Sequence, residues 1–369
     1  MNAVGVHVFA GWQTYGFREA MTVCAQLESH GFGLETASSM GILTLPPPWP
    51  QFAVDVVFGN PRCTGFSSLT SRLSGKSHGA AAKQNIDIWD LCKYALSLKR
   101  RPRFVVWESV CGAYTTGRAL VEELWRDYFR PKRYRLLHLF VNAATFNNAQ
   151  KRRRYFFIAY LPDSGQFWPS RPALPERQAT VWDRIQEFRY TKARPVKNWD
   201  VPYDKTCYKE FKPEPSKIIP YLQLGWSLTA FAKRDYDTLA KVSPKYADMW
   251  DARLSDIPFG LYTPYRIYPH RHSPTMHSGA RCWVHPFQDR GFMLQELAAV
   301  MGVPVIPRGE NPVGQIVKGV VPAVAEWLAR AIADYGKYGA SPADDDRIHV
   351  EFPENRVTIL DMRHYVPGG

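Results

Sequence analysis

The six cysteines of this chain, Cys24, Cys63, Cys92, Cys111, Cys207 and Cys282, are scattered and form no Cys-x-x-Cys pair. Neither a zinc site nor a disulfide framework is indicated, and a reducing compartment follows. No apolar run is long enough to span a bilayer, and the N-terminus lacks the basic patch, apolar core and cleavage site of a secretory leader. No internal repeat or extended low-complexity segment stands out. The expectation is an intracellular, cytoplasmic, soluble monomer with no metal and no membrane partner. Acidic residues are also in short supply, since 34 Asp and Glu face 47 Lys and Arg for a formal net charge of +13. That balance suits a polyanionic partner, because basic side chains release counterions from phosphates. A merely soluble basic protein has the same composition.

What is present suffices for a sizeable core. At 369 residues, 45% of them hydrophobic, the chain is expected to form a large α/β domain plus a smaller one. Residues 5–10 read as a first strand, and residues 16–30 as an amphipathic helix with Phe17, Ala20, Met21, Cys24 and Leu27 on one face. Further strands are expected at 52–58, 104–106, 135–141 and 155–160, with helices at 88–98 and 117–128 between them. The alternation predicts βαβ units and a mostly parallel, doubly wound sheet, with residues 155–160 as a hairpin edge. From about 162 to 273 the periodicity weakens and Pro, Trp, Tyr, Lys and Arg intermix. This marks a second, irregular domain, whose aromatic and basic residues suit either nucleic-acid binding or an irregular aromatic core. Helical pattern returns at 292–301 and 320–338, and 347–362 reads as a terminal hairpin turning at Pro353-Glu354-Asn355.

One thiol has a distinctive setting. The apolar, β-branched run ending at Phe58 breaks into Gly59-Asn60-Pro61-Arg62-Cys63-Thr64-Gly65, so a buried strand delivers Cys63 onto the loop at its C-terminal end. Loops at that end are where α/β folds keep their chemistry. Arg62 favours the thiolate if both share a pocket. Taken alone, such a cysteine is more often a small core hydrophobe. Three further segments shift that weighting: Val8-Phe9-Ala10-Gly11-Trp12 before it, then Val105-Val106-Trp107-Glu108-Ser109-Val110 and Gln150-Lys151-Arg152-Arg153-Arg154 after it.

In this order the segments resemble the DNA cytosine-5 methyltransferase family. That family has a strand ending in Phe-Ala-Gly at the cofactor, Pro-Cys at the nucleophile, Glu-Asn-Val at the target base, and then Gln-x-Arg-x-Arg. Cys63 matches the nucleophile, Glu108 the acid, and Gln150, Arg152 and Arg154 the last motif. Ser273-Pro274-Thr275-Met276, His285-Pro286, Arg290, Glu296 and Gly302-Val303-Pro304 are similar to the segment after the family's target-recognition region. Gln315-Ile316-Val317-Lys318-Gly319-Val320-Val321-Pro322 falls where the family has Gln-Ile-Gly-Asn-Ala-Val-Pro-Pro.

The resemblance implies a Rossmann-like S-adenosylmethionine-dependent methyltransferase fold. Its catalytic and cofactor-binding domain would span 1–161 and its smaller irregular target-recognition domain 162–273, with 274–338 returning to the first and 339–369 as a hairpin extension. Cys63 would add to carbon 6 of a cytosine flipped out of double-stranded DNA, and Glu108 would meet the ring N3 and amino group. Arg152 and Arg154 alternate, so on an extended segment both point to one side, one to the base O2 and the other to the loop or a phosphate. Phe9, Ala10, Gly11, Trp12 and Gly16, with Glu35, Pro61 and Lys318, would bind the donor, whereas Arg62, Ser67 and Gln150 would touch DNA.

Some positions depart from the family pattern: Arg62 stands for Pro, Thr64 for Gln, Ser109 for Asn and Lys318 for Asn, and Trp12-Gln13-Thr14-Tyr15 replaces a short Gly-rich turn. An ammonium buried beside the transferred group calls for an anion, and carboxy-S-adenosylmethionine carries one there. The reading therefore leans to carboxymethyl transfer, giving 5-carboxymethylcytosine. The alternatives are ordinary methyl transfer from S-adenosylmethionine, with Lys318 reaching solvent or an acid, an inactive DNA-binding relative, and an RNA substrate.

Overall fold

The computed structural model of the chain describes residues 55–61, 63, 65–66, 79–82, 85–162, 167–169, 172, 176–188, 218–244, 247–248, 251, 265–276, 283–304, 312–338 and 358–361. The expected first strand and helix, at 5–10 and 16–30, lie outside them. In chain order the strands are β1 (Val56–Gly59), β2 (Phe104–Ser109), β3 (Arg135–Asn142), β4 (Arg153–Tyr160), β5 (Tyr265–Arg266), β6 (Trp283–Val284) and β7 (Thr358–Asp361). The helices used below are α1 (Ile86–Ser97), α2 (Arg118–Glu123), α3 (Val181–Ile185), α4 (Leu228–Arg234), α5 (Tyr236–Val242), α6 (Leu294–Met301), α7 (Pro312–Lys318) and α8 (Pro322–Tyr338). Two compact units result, one from Met1–Asn142, Arg153–Ala173 and Val324–Gly369, the other from Ala143–Arg152 and Leu174–Ala323.

The first unit holds a five-stranded sheet in the order β1-β2-β4-β3-β7. β1 and β2 are parallel, while β2 with β4, β3 with β4, and β3 with β7 are antiparallel. Among the described strands the sheet is therefore mixed, not mostly parallel. Nor is β4 an edge, since it lies between β2 and β3. Tyr155-Phe156-Phe157-Ile158-Ala159-Tyr160 is apolar on both faces and buried throughout, which an interior strand covered on both sides accommodates. Of the expected terminal hairpin, the described arm β7 pairs with β3; the other arm and the turn lie outside the described residues.

On α1, Ile88, Leu91, Cys92 and Ala95 recur at helical spacing and are buried in one cluster with Val57, Val105, Trp107, Tyr155 and Phe157. α2 widens into a π-type turn at Leu124–Phe129, so the expected helix at 117–128 is present but not uniform. Tyr335 of α8 meets Phe104, Phe167 and Tyr160 edge-on, with centroids 5.5–6.1 Å apart.

In the second unit β5 and β6 pair in parallel. A small core gathers Ile218, Ile219, Leu222, Phe231, Leu239 and Val284 around α4 and α5. α6 starts where Glu296 accepts from the Met293 backbone N–H at 2.8 Å, and stops at Gly302, whose φ of 71° favours glycine. Glu296 is fully buried and bound by both terminal nitrogens of Arg290 at 2.7 and 2.8 Å. No helix among the described residues is long and apolar enough to cross a membrane. No cluster of His, Cys, Asp and Glu among them is disposed to hold a metal ion.

Candidate active site

Because β1 and β2 are parallel, their C-terminal ends share one edge of the sheet. β1 ends at Gly59, in register with Trp107, and Glu108 is the next residue of β2. A Cβ on Gly59 would lie 2.4 Å from Leu91 Cδ2, so glycine lets the strand end pass close to α1. Beyond it Pro61 is buried and Cys63 is a partly exposed thiol. The Cys63 carbonyl accepts from the Phe66 N–H at 3.0 Å, which closes a turn. Phe66 is itself buried, and Cβ atoms on Gly112 and Gly117 would lie 2.3 and 2.4 Å from its carbonyl oxygen and its ring. The nucleophile expected from sequence thus sits on a loop pinned by its own buried phenylalanine. Arg62, Thr64 and Ser67 lie outside the described residues.

Glu108 is buried, and its Oε1 lies 2.9 Å from Nε of Arg154 in an ion pair whose side chains are 3% and 16% exposed. The register explains the pairing. Glu108 lies opposite Phe156, so Arg154, two residues along the same face of β4, is its diagonal neighbour. The guanidinium offsets part of the cost of burying the carboxylate. Ring contacts and a buried hydrogen bond run through the neighbouring strand residues. Trp107 stacks on Phe157 at 5.1 Å, and the Tyr155 hydroxyl hydrogen-bonds His138 Nδ1 at 2.6 Å. Burial, with a smaller contribution from Arg118, drives the His138 pKa down to about 3, and burial pushes that of Tyr155 well up, so both are neutral.

Sequence reasoning passed over Cys111. It follows Glu108 by three residues, and burial raises its thiol pKa against the pull of Arg154 and Arg153, with Glu108 adding to the rise. Its position just past the strand carrying Glu108 was the only available signal. Burial thus favours the protonated form of the Cys111 thiol.

The Gln-x-Arg-x-Arg motif divides. Gln150 is fully buried in the second unit, where Oε1 accepts from the Met276 N–H at 3.2 Å and Nε2 donates to the Met301 sulfur. The amide is engaged at both ends by protein, not by a partner. Arg152, also buried, donates to the carbonyls of Met276 at 3.2 Å and Gly319 at 3.1 Å. The alternation expected for Arg152 and Arg154 does not govern them, because β4 begins only at Arg153. Lys318, the last residue of α7, is exposed, although partial desolvation lowers its pKa. Phe9, Ala10, Gly11, Trp12, Gly16 and Glu35, expected at the donor, lie outside the described residues.

A family model described as C-5 cytosine-specific DNA methylase matches residues 48–334. Among solved structures, the chain is similar to a DNA modification methyltransferase encoded within a prophage (E. coli), at 17% identity, 77% of this chain, 79% of that one and a TM-score of 0.43. It is similar also to the Dnmt2 methyltransferase of S. pombe, at 14% identity, 77% and 79% coverage and a TM-score of 0.40. The methyltransferase EhMeth of Entamoeba histolytica is 10% identical over 76% of this chain and 77% of its own, with a TM-score of 0.44. No curated protein sequence matches. The weight rests on the family model, which spans most of the chain.

Proposed function

Because the chain belongs to the C-5 cytosine-specific DNA methylase family, we propose that it methylates carbon 5 of cytosine in double-stranded DNA from S-adenosylmethionine, with Cys63 as nucleophile. The observation that carries this reading is the parallel β1–β2 register, in which the loop bearing Cys63 leaves β1 at the same end of the sheet at which β2 carries the buried Glu108.

Carbon 5 of cytosine is too poor a nucleophile to attack directly. The Cys63 thiolate adds to carbon 6, forming a sulfur–carbon bond and an enamine whose electron density lies at carbon 5. Glu108 meets N3 and the exocyclic amino group and stabilises the ring as it accepts the thiolate. Arg154 holds that carboxylate in place. The donor, a sulfonium co-substrate, supplies the electrophilic methyl group. Once the new carbon–carbon bond exists, loss of the carbon 5 proton to solvent expels Cys63 and restores the ring. The target base must leave the helical stack for any of this to occur.

The carboxymethyl reading depended on a buried Lys318 ammonium. Lys318 is exposed and only partly desolvated, so little burial cost calls for an anion, and family membership supports the ordinary donor better. The test supplies duplex DNA or folded RNA, each with equal S-adenosylmethionine and carboxy-S-adenosylmethionine, and resolves the nucleosides by mass spectrometry. The expected product is 5-methylcytosine. Mainly 5-carboxymethylcytosine would reverse the donor assignment, and product only on folded RNA would reverse the substrate.

A further inference from the structure

In the second unit one buried arginine ties together the loops that carry exposed aromatic residues. Arg266 is 6% exposed, and its guanidinium donates to the carbonyls of Leu222 at 2.6 Å, Ile219 at 2.8 Å, His285 at 3.0 Å, Gln288 at 3.1 Å and Pro286 at 3.4 Å. It also pairs with the exposed Asp289 carboxylate at 2.5 Å. A guanidinium has five N–H donors in a fixed fork, and here that fork spans two loops more than sixty residues apart in sequence. Burying such a charge costs several kcal/mol unless it is fully engaged, and a core without charge would not need it. Its effect is to fix where those loops stand.

Those loops present unusual surfaces. Tyr221 lies between the bound carbonyls of Ile219 and Leu222 and is 46% exposed; Phe287 lies between those of Pro286 and Gln288 and is 55% exposed. Tyr268, two residues after Arg266, is 38% exposed, and Leu224 is 36% exposed on the same loop as Tyr221. Tyr268 leans on Gly225, where a Cβ would lie 2.0 Å from its ring and where φ is 77°, so glycine alone permits the arrangement. One of these rings has a cation beside it, Arg271 lying 4.8 Å from the Tyr268 centroid, and the neighbouring half-buried Trp226 has Arg234 at 4.4 Å. Exposed rings interleaved with guanidinium groups match a nucleic acid, with bases and sugars against the rings and phosphates against the cations.

Resting on the reading above, we propose that Arg266 is the positioning residue of a DNA-contacting surface formed by Tyr221, Leu224, Tyr268, Arg271 and Phe287. The rings pack on bases and sugars, Arg271 meets a phosphate, and Arg266 touches no DNA but sets the loops.

The test uses the full chain loaded with S-adenosylhomocysteine and a fluorescent duplex. Tyr221→Ala, Tyr268→Ala and Phe287→Ala, substitutions at exposed positions, should each weaken DNA binding about fivefold or more, with affinity for S-adenosylhomocysteine unchanged. Arg271→Ala should lower the slope of log affinity against log salt by about one. Arg266→Gln should raise KM for DNA and leave kcat in place; because it risks misfolding, the surface variants decide the matter. Wild-type affinity in all three aromatic variants overturns the inference alone. A wild-type dimer that these variants dissociate, with DNA binding intact, overturns it in favour of self-association. A wild type that binds no duplex DNA removes the proposed function and this inference together.

Discussion

In the first unit Arg154 turns its charge on a carboxylate at the edge of the sheet, whereas in the second Arg152 and Arg266 are buried among backbone carbonyls. One side chain thus serves two purposes. On the proposed function Arg154 keeps a buried acid in place for chemistry, whereas the other two fasten irregular segments that have little regular structure of their own. The difference teaches that an arginine's role is set by what the fold delivers to it. A carbonyl-bound arginine is an architectural element, and its loss leaves acceptors unpaired. Arg154, whose partner is the buried carboxylate of Glu108, belongs to the candidate site, and its loss is expected to alter reactivity.

The contrast is sharpest where the first unit is disarmed. Glu108→Gln should lower kcat at least ~100-fold, the low end for positioned acid–base groups, while unfolding in urea changes little; a pure stability loss would make Glu108 structural. In the second unit Arg152→Ala should instead cost about 2–4 kcal/mol in urea unfolding, since the Met276 and Gly319 carbonyls each lose a charged donor. Turnover per folded molecule should survive. If Arg152→Ala abolished turnover at unchanged stability, the division between the two arginines would be wrong.

A smaller effect concerns pH. His138 in the folded chain has a pKa of about 3 against 6.5 for the ordinary imidazole. Between those values the unfolded state binds the extra proton, so stability is full above about pH 6.5 and falls as the pH drops toward 3. From pH 7.5 to 5.5 this amounts to about 1 kcal/mol. His138→Gln, which keeps a hydrogen-bonding partner for Tyr155, should remove that part of the slope; urea midpoints at the two pH values measure it. The smallest effect is expected from Cys111→Ala, which should leave turnover unchanged because the buried thiol stays protonated. A large loss of activity there would move the chemistry from Cys63 to Cys111.

Strand ends were legible where the apolar pattern breaks, as at Phe58-Gly59-Asn60-Pro61 and along the run now seen as β4. Strand direction was read in part: β1 and β2 are parallel and β4 returns beside β3 as a hairpin, but the described sheet is mixed, not mostly parallel. The helices between the early strands argued for parallel pairing, but the ten residues from Ala143 to Arg152 hold only a short helical turn, Ala143–Phe146, and no crossover helix, so β4 returns antiparallel to β3. The partners of Gln150 and Arg152 were hidden for another reason: Met276 is 124 residues beyond Arg152 and Gly319 is 167 beyond it. No local pattern encodes such contacts. The charge at Lys318 was legible, but its exposure was not, because what packs around the last residue of α7 is set by distant parts of the chain.

The claim that chemistry sits at the edge shared by β1 and β2 is tested most directly by a trap. Duplex DNA with 5-fluorocytosine at the target carries a fluorine that cannot leave as a proton, so elimination of the enzyme is blocked after transfer. Incubation with S-adenosylmethionine, digestion and mass spectrometry should show the nucleotide joined to Cys63. No adduct, or one on Cys111, would contradict the account.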